Sequence, residues 1–221
     1  MVIEIEEELL EEIRRIFSKL EGNVRIYFFR NTEEECQFCE DTLHILKTLA
    51  GLSDKISVIE KDHRSDEARK YNIPMYPAIL LHGEKEYNIR FFGIPAGYEF
   101  GALVEDIVDV STGKPKVDSK IAEAVKSIDE PVWIKVFVTP TCPYCPRAVR
   151  TAHKFAILNK NITGDMIEAM EFSELADKYG VFSVPKIIIN EKVEFEGAAP
   201  DSFFLAKILE ALGREIPETL T

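Results

Sequence analysis

Thr141-Cys142-Pro143-Tyr144-Cys145-Pro146 is the stretch on which the reading of this chain turns. It follows an apolar run, Val132 to Val138, that predicts a buried strand, and precedes Arg147 to Leu158, which predicts a helix. A Cys-x-x-Cys at a strand-to-helix junction puts its first sulfur where unpaired N–H groups and the helix dipole stabilise a thiolate. The second sulfur lies one turn on, close enough to close a disulfide. Pro143 suits a first helical turn, where no backbone donor is lost. The pattern points to dithiol–disulfide chemistry. Taken alone, it also admits half of a structural zinc site or two inert core thiols.

Working outward, the C-terminal half reads as helix Asp118 to Ile128, strand Val132 to Val138, the Cys142 helix, strand Ile162 to Met170 and short helix Phe172 to Tyr179. Val184-Pro185 leads into strand Lys186 to Asn190, which pairs with Lys192 to Glu196, and Ser202 to Leu212 closes the half. Strand propensity is poor around Gly164-Asp165.

The N-terminal half has the same order. Glu4 to Leu20 predicts an amphipathic helix, with Leu9, Leu10, Ile13, Ile16, Phe17 and Leu20 inward and an acidic run, Glu4 to Glu12, toward solvent. Strand Val24 to Phe29, the site Cys36-Gln37-Phe38-Cys39 and its helix, strand Ile56 to Glu60 and helix Ser65 to Tyr71 follow. Pro77 then leads into a hairpin, Ala78 to His82 with Tyr87 to Phe92, and helix Tyr98 to Val110. Ser111-Thr112-Gly113-Lys114-Pro115 is the best linker candidate. Cys36 lies over Cys142 (142 − 36 = 106) and Pro77 over Pro185 (185 − 77 = 108). The near-equal offsets predict two copies of one α/β domain in tandem, 1–115 and 116–221.

Composition narrows the function. A formal charge of −12 argues against nucleic acid and anionic membrane surfaces as partners. No stretch is apolar enough for a membrane span, and the acidic start lacks the positive region of a secretory signal, so a cytoplasmic location is expected. All four cysteines fall in the two Cys-x-x-Cys pairs. In a reducing compartment such pairs are catalytic or metal-binding rather than framework disulfides. The single glutamine, Gln37, beside abundant Glu, Lys and Ile is a thermophile-like bias.

Cys-Pro-Tyr-Cys is typical of glutaredoxins, and Glu174 to Val181 followed by Ser183-Val184-Pro185 resembles the segment before the cis-proline of thioredoxins. The whole chain resembles the glutaredoxin-like protein disulfide oxidoreductases of hyperthermophilic archaea and bacteria. The resemblance implies two thioredoxin-like domains, each a central mixed β-sheet flanked by helices. It also implies dithiol–disulfide exchange on protein substrates, and the expected mechanism uses no bound cofactor or metal. Reducing power would come from a flavin-dependent thioredoxin reductase. Val136 and Arg30 stand where thioredoxins carry a buried aspartate, which leaves the proton acceptor unassigned.

Two matched pairs in matched contexts favour redox chemistry, since structural Cys₄ zinc sites place their pairs about 15–20 residues apart. Cys36 and Cys142 are the expected attacking thiolates, and Cys39 and Cys145 resolve the mixed disulfide. Pro77 and Pro185 are the expected cis-prolines. They would turn the backbone of Tyr76 and Val184 toward a substrate strand. Phe38 and Tyr144 are expected as exposed apolar contacts. Gly93 and Gly197 either admit substrate closely or end their strands. His44, His63, His82 and His153 read as surface or helix-face residues. The expected activity is protein disulfide oxidation, reduction or isomerisation. The alternatives are an electron carrier reducing a peroxiredoxin, and a metal-binding or chaperone-like module.

Overall fold

The computed structural model describes residues 5–217. Each half supplies four strands: β1 (Val24–Arg30), β2 (Ile56–Asp62), β3 (Ala78–His82) and β4 (Ile89–Phe92), then β5 (Val132–Val138), β6 (Ile162–Glu168), β7 (Lys186–Ile189) and β8 (Val193–Glu196). The halves are not separate sheets. They join in one eight-stranded sheet, ordered β2-β1-β3-β4-β6-β5-β7-β8, through parallel pairing of β4 with β6. The helices are α1 (Glu7–Phe17), α2 (Cys39–Ala50), α3 (Asp66–Lys70), α4 (Tyr98–Thr112), α5 (Ser119–Lys126), α6 (Cys145–Leu158), α7 (Ser173–Lys178) and α8 (Asp201–Ala211).

The central strands are largely apolar because both faces of the sheet are covered, with Arg90, Lys135 and Asp165 as buried charges among them. Alternate side chains feed two cores. Phe28, Ile79, Phe91, Val136, Met166 and Ile187 point to the face carrying both cysteine helices. Phe29, Leu80, Phe92, Phe137, Ile167 and Ile188 point to the face beneath α3 and α7. A one-residue slip in any strand would exchange these sets, so register is strongly determined.

The seam has its own chemistry. Arg90 on β4 donates from Nε (2.6 Å) and Nη2 (2.8 Å) to the carboxylate of Asp165 on β6, and both are buried. Trp133 on β5 also donates its indole N–H to Asp165. Gly164 lets α6 approach, since a Cβ there would lie 2.9 Å from His153 and 3.0 Å from the Ala152 backbone. The poor strand propensity at Gly164-Asp165 is thus overridden by contacts across the seam.

Several expectations are corrected. Ser111 and Thr112 are the last turn of α4, not linker. Ser111 is buried, and its carbonyl accepts from the Gly22 N–H at 3.1 Å. α4 ends on left-handed Gly113. The first helix starts at Glu7, Leu9 is exposed because the packed stripe begins at Ile13, and Glu4 lies outside the described residues. Pro143 precedes its helix, and Pro146 is the first-turn proline of α6. His82 and His153 are buried rather than on the surface. His82 accepts from the Tyr87 N–H at 3.0 Å, and His153 Nδ1 lies 2.6 Å from an Asp106 carboxylate oxygen.

Candidate active site

Both cysteine pairs are disulfides, with Cα–Cα distances of 5.4 Å for Cys36–Cys39 and 5.5 Å for Cys142–Cys145. Each second cysteine opens a helix, α2 or α6, and is buried. The Cys145 N–H donates to Cys142 Sγ at 3.2 Å. That donor sits at the positive end of α6, so it stabilises negative charge on the Cys142 sulfur once the bond is reduced. No such contact occurs at Cys36 among the described residues.

The Tyr76–Pro77 and Val184–Pro185 bonds are cis. The Val184 carbonyl oxygen lies 3.7 Å from Cys142 Sγ, which puts this backbone against the reacting sulfur. The Val184 and Tyr76 N–H groups find no partner among the described residues, so both can accept an added strand. The Tyr76 side chain is committed inward, with its hydroxyl donating to the Ile73 carbonyl at 3.0 Å. Phe38 is half-buried against the core, so only Tyr144, 68% exposed, stands out as a free aromatic contact. Phe182 and Met170 were not anticipated. They are 96% and 73% exposed and flank a cleft of about 350 Å³ that also includes Thr139 and Val184. The sequence signal was an aromatic residue three positions before the proline.

Gly93 and Gly197 differ. Each donates its N–H to the carbonyl of the preceding cis-proline, at 3.0 and 2.8 Å. The space at Gly197 is open, whereas a Cβ on Gly93 would lie 2.7 Å from both Glu168 and Glu171. Docking of β6 on β4 therefore closes the Gly93 side of the N-terminal site. Glu171 accepts from the Ile94 N–H at 2.5 Å, and burial pushes its carboxyl up to about 7.

The start of α4 also buries a carboxyl, Glu99. The Tyr98 N–H donates to the Pro140 carbonyl at 3.0 Å, and Gly97 is needed there because a Cβ would lie 2.1 Å from that oxygen. This fixes the start of α4 two residues before Cys142. α4 and α6 run alongside each other, clamped by Arg150 and His153 of α6 on Asp106 of α4. Two turns toward both N-termini, Glu99 comes level with residues 143–146. Glu99 is buried, and neither carboxyl oxygen has a partner among the described residues. Burial, then the nearby Asp106, push its carboxyl up to about 8. Its place was not legible beforehand, because it belongs to the other half of the chain.

β1 and β5 run parallel, so both sites lie at the same end of the sheet and on the same face. Three strands intervene, which separates the sites by roughly 19 Å at 4.8 Å per strand.

Comparison with known proteins agrees with this geometry. Residues 132–210 match the thioredoxin domain family. A protein disulfide oxidoreductase from Aeropyrum pernix superposes with a TM-score of 0.88 at 32% identity, over 96% of each chain. The chain belongs to the protein disulfide oxidoreductase family. The oxidoreductase also shares its fold with the alkylhydroperoxide reductase AhpF of Enterococcus faecalis, with a TM-score of 0.84 at 23% identity, over 91% of this chain and 97% of that one. The F component of the alkyl hydroperoxide reductase of Staphylococcus aureus is 27% identical over 183 residues, 83% of this chain. The oxidoreductase spans 33% of that relative's length. No helix among the described residues is long and apolar enough to cross a membrane.

The surroundings of the two pairs differ in charge. Glu33, Glu34, Glu35 and Glu40 of the oxidoreductase are exposed around Cys36. Glu33 is held by Arg64 and Glu40 by Arg30, which leaves Glu34 and Glu35 uncompensated among the described residues. Near Cys142 the exposed cation is Arg147. Arg150 is turned away, onto Glu105, Asp106 and Asp109.

Proposed function

We propose that this thiol–disulfide oxidoreductase exchanges disulfides on protein substrates through two thioredoxin-like units, 1–115 and 116–221. The observation that carries the proposal is the Cys142 environment: a helix-end N–H on the sulfur and the Val184 backbone of the cis-proline segment against it. In the reducing direction the Cys142 thiolate attacks a substrate disulfide, forming a mixed disulfide and releasing one substrate thiolate. Glu99, in its ionised form, takes the Cys145 proton. The Cys145 thiolate attacks Cys142 Sγ, closing the protein disulfide and releasing the second substrate thiolate, so two electrons pass to the substrate. The substrate backbone pairs with Val184, while Tyr144, Phe182 and Met170 hold its side chains. Cys36 and Cys39 act likewise beside Tyr76 and Pro77, with Phe38 bordering the pair. The bordering glutamates disfavour the Cys36 thiolate.

The carboxylate is spared from charging until it is needed. Held protonated at neutral pH, Glu99 avoids the penalty of a buried charge in the ground state, and it releases its proton as pH rises. Likeness to the F component of an alkyl hydroperoxide reductase favours a second role, as a carrier between a flavin-dependent reductase and a peroxiredoxin. We place both roles in the cytoplasm. Insulin reduction with dithiothreitol tests the exchange reading. Acceleration that disappears when all four cysteines are replaced supports it. An unaccelerated reaction, with zinc bound stoichiometrically, would show a metal-binding module instead.

A further inference from the structure

A cleft of about 970 Å³ opens on the helix side of the C-terminal site, between α1, α4, α5, α6 and α8. It shares Pro143 and Pro146 with the redox loop, and Ile16, Val108 and Ile121 give it an apolar floor. Its size is at the upper end of that of small-molecule pockets, roughly 300–1,000 Å³.

The charges around it are sorted. Its three carboxylates are already held: Glu105 and Asp109 by Arg150, Asp201 by Lys154. Lys19, Lys116 and Arg147 also line it, are exposed, and have no ion-pair partner among the described residues. Three uncompensated cations around one cleft go against the trend of a chain with a net charge of −12. Around the other redox pair the uncompensated charges are acidic.

We infer that this cleft is a docking groove for an acidic polypeptide segment of the protein that exchanges its disulfide with Cys142. The cations come from three elements, α6, the end of α1 and the segment before α5, so they suit an extended chain rather than a single anion. Pro143 and Pro146 place that chain beside the redox loop, in a cleft separate from the one that Val184 lines. The two redox pairs are thereby sorted by partner charge, acidic at Cys142 and basic at Cys36. The inference rests on the exchange reading of both pairs.

The test uses full-length variants with one pair each: Cys36→Ser/Cys39→Ser and Cys142→Ser/Cys145→Ser. The probes are three synthetic peptides with the same disulfide core and Glu-rich, Lys-rich or neutral flanks. The readout is the kcat/KM ratio of acidic to basic peptide, in which changes of intrinsic thiol reactivity cancel. Both variants have the same net charge, so the field of the whole molecule cancels too. At low ionic strength the ratio should be about tenfold higher at Cys142 than at Cys36, from three exposed pairs of a few tenths of a kcal/mol each, and should fall with salt. Lys19→Glu/Lys116→Glu should remove most of the difference. Equal ratios at the two sites, or a ratio unmoved by charge reversal, would overturn the inference. So would inhibition of all three peptides alike by inorganic phosphate at fixed ionic strength, which would make the cleft a small-anion site. If the neutral peptide were not reduced at either site, the exchange reading itself would fail.

Discussion

Glu99→Gln exchanges a buried, unpartnered carboxyl for an amide of the same shape, and its consequences divide with pH. Burial pushes the Glu99 carboxyl up to about 8 from an ordinary 4.5. Between those values the unfolded chain has lost a proton that the folded chain keeps. Stability therefore falls as pH rises from 4.5 to 8, and the full loss is in place above 8. At 1.36 kcal/mol per pH unit, the loss is about 3 kcal/mol at pH 7 and about 5 kcal/mol at pH 9. Glutamine does not titrate, so the variant should match the wild type at pH 4 and exceed it by those amounts at pH 7 and 9. Guanidinium unfolding at the three pH values measures the difference.

The same substitution removes the acceptor for the Cys145 proton. Closure of the Cys142 mixed disulfide should slow by about 10²-fold at pH 7, the lower end of the range for a general base. Rapid acid quench of a preformed mixed disulfide follows that step. The wild-type rate should climb through pH 8, and the variant should lack that limb. A stability gain equal at pH 4 and pH 9, or a closure rate unchanged at pH 7, would refute the placement of Glu99 and the reasoning built on it.

Three further outcomes are expected. The Cys142–Cys145 pair should be the more oxidising by about 30 mV, tenfold in equilibrium constant, because Glu34 and Glu35 oppose a Cys36 thiolate while the α6 end supports Cys142; glutathione-buffer titration of single-pair variants reads this, and a more oxidising Cys36–Cys39 pair would contradict it. Loss of Cys36 and Cys39 should lower isomerase activity on scrambled ribonuclease more than insulin reduction, since two sites roughly 19 Å apart on one face can engage one substrate; equal losses would count against cooperation. Asp165→Asn leaves Arg90 buried beside an uncharged partner and should destabilise the seam by about 3–5 kcal/mol, with Trp133 fluorescence reporting the change; a loss below about 1 kcal/mol would show the pair to be dispensable.

Local pattern carried much of the fold and little of the contact between halves. Strands such as Val132 to Val138 announce themselves because burial on both faces demands mostly apolar runs, here broken only by Lys135. The Cys-x-x-Cys pairs and the prolines at offset 108 stand out because their spacing repeats. Gly164-Asp165 reads poorly as strand because both residues serve the seam, one by admitting α6 and the other by holding Arg90. Glu99 is invisible for the same reason. Its helix belongs to the first half and its neighbours to the second, so no local window contains both. His153 misleads because its partner Asp106 lies 47 residues away on another helix. Pro143 and Pro146 compete for the same helical turn, and only the backbone decides between them.

The central claim is that Cys142 and Cys36 attack and Cys145 and Cys39 resolve. Trapping tests it most directly. Cys145→Ser and Cys39→Ser, combined in one chain and incubated reduced with a protein disulfide, should accumulate mixed disulfides that peptide mass mapping places on Cys142 and Cys36. Turnover without accumulation, or adducts that form only when Cys142 and Cys36 are the residues replaced, would contradict the account.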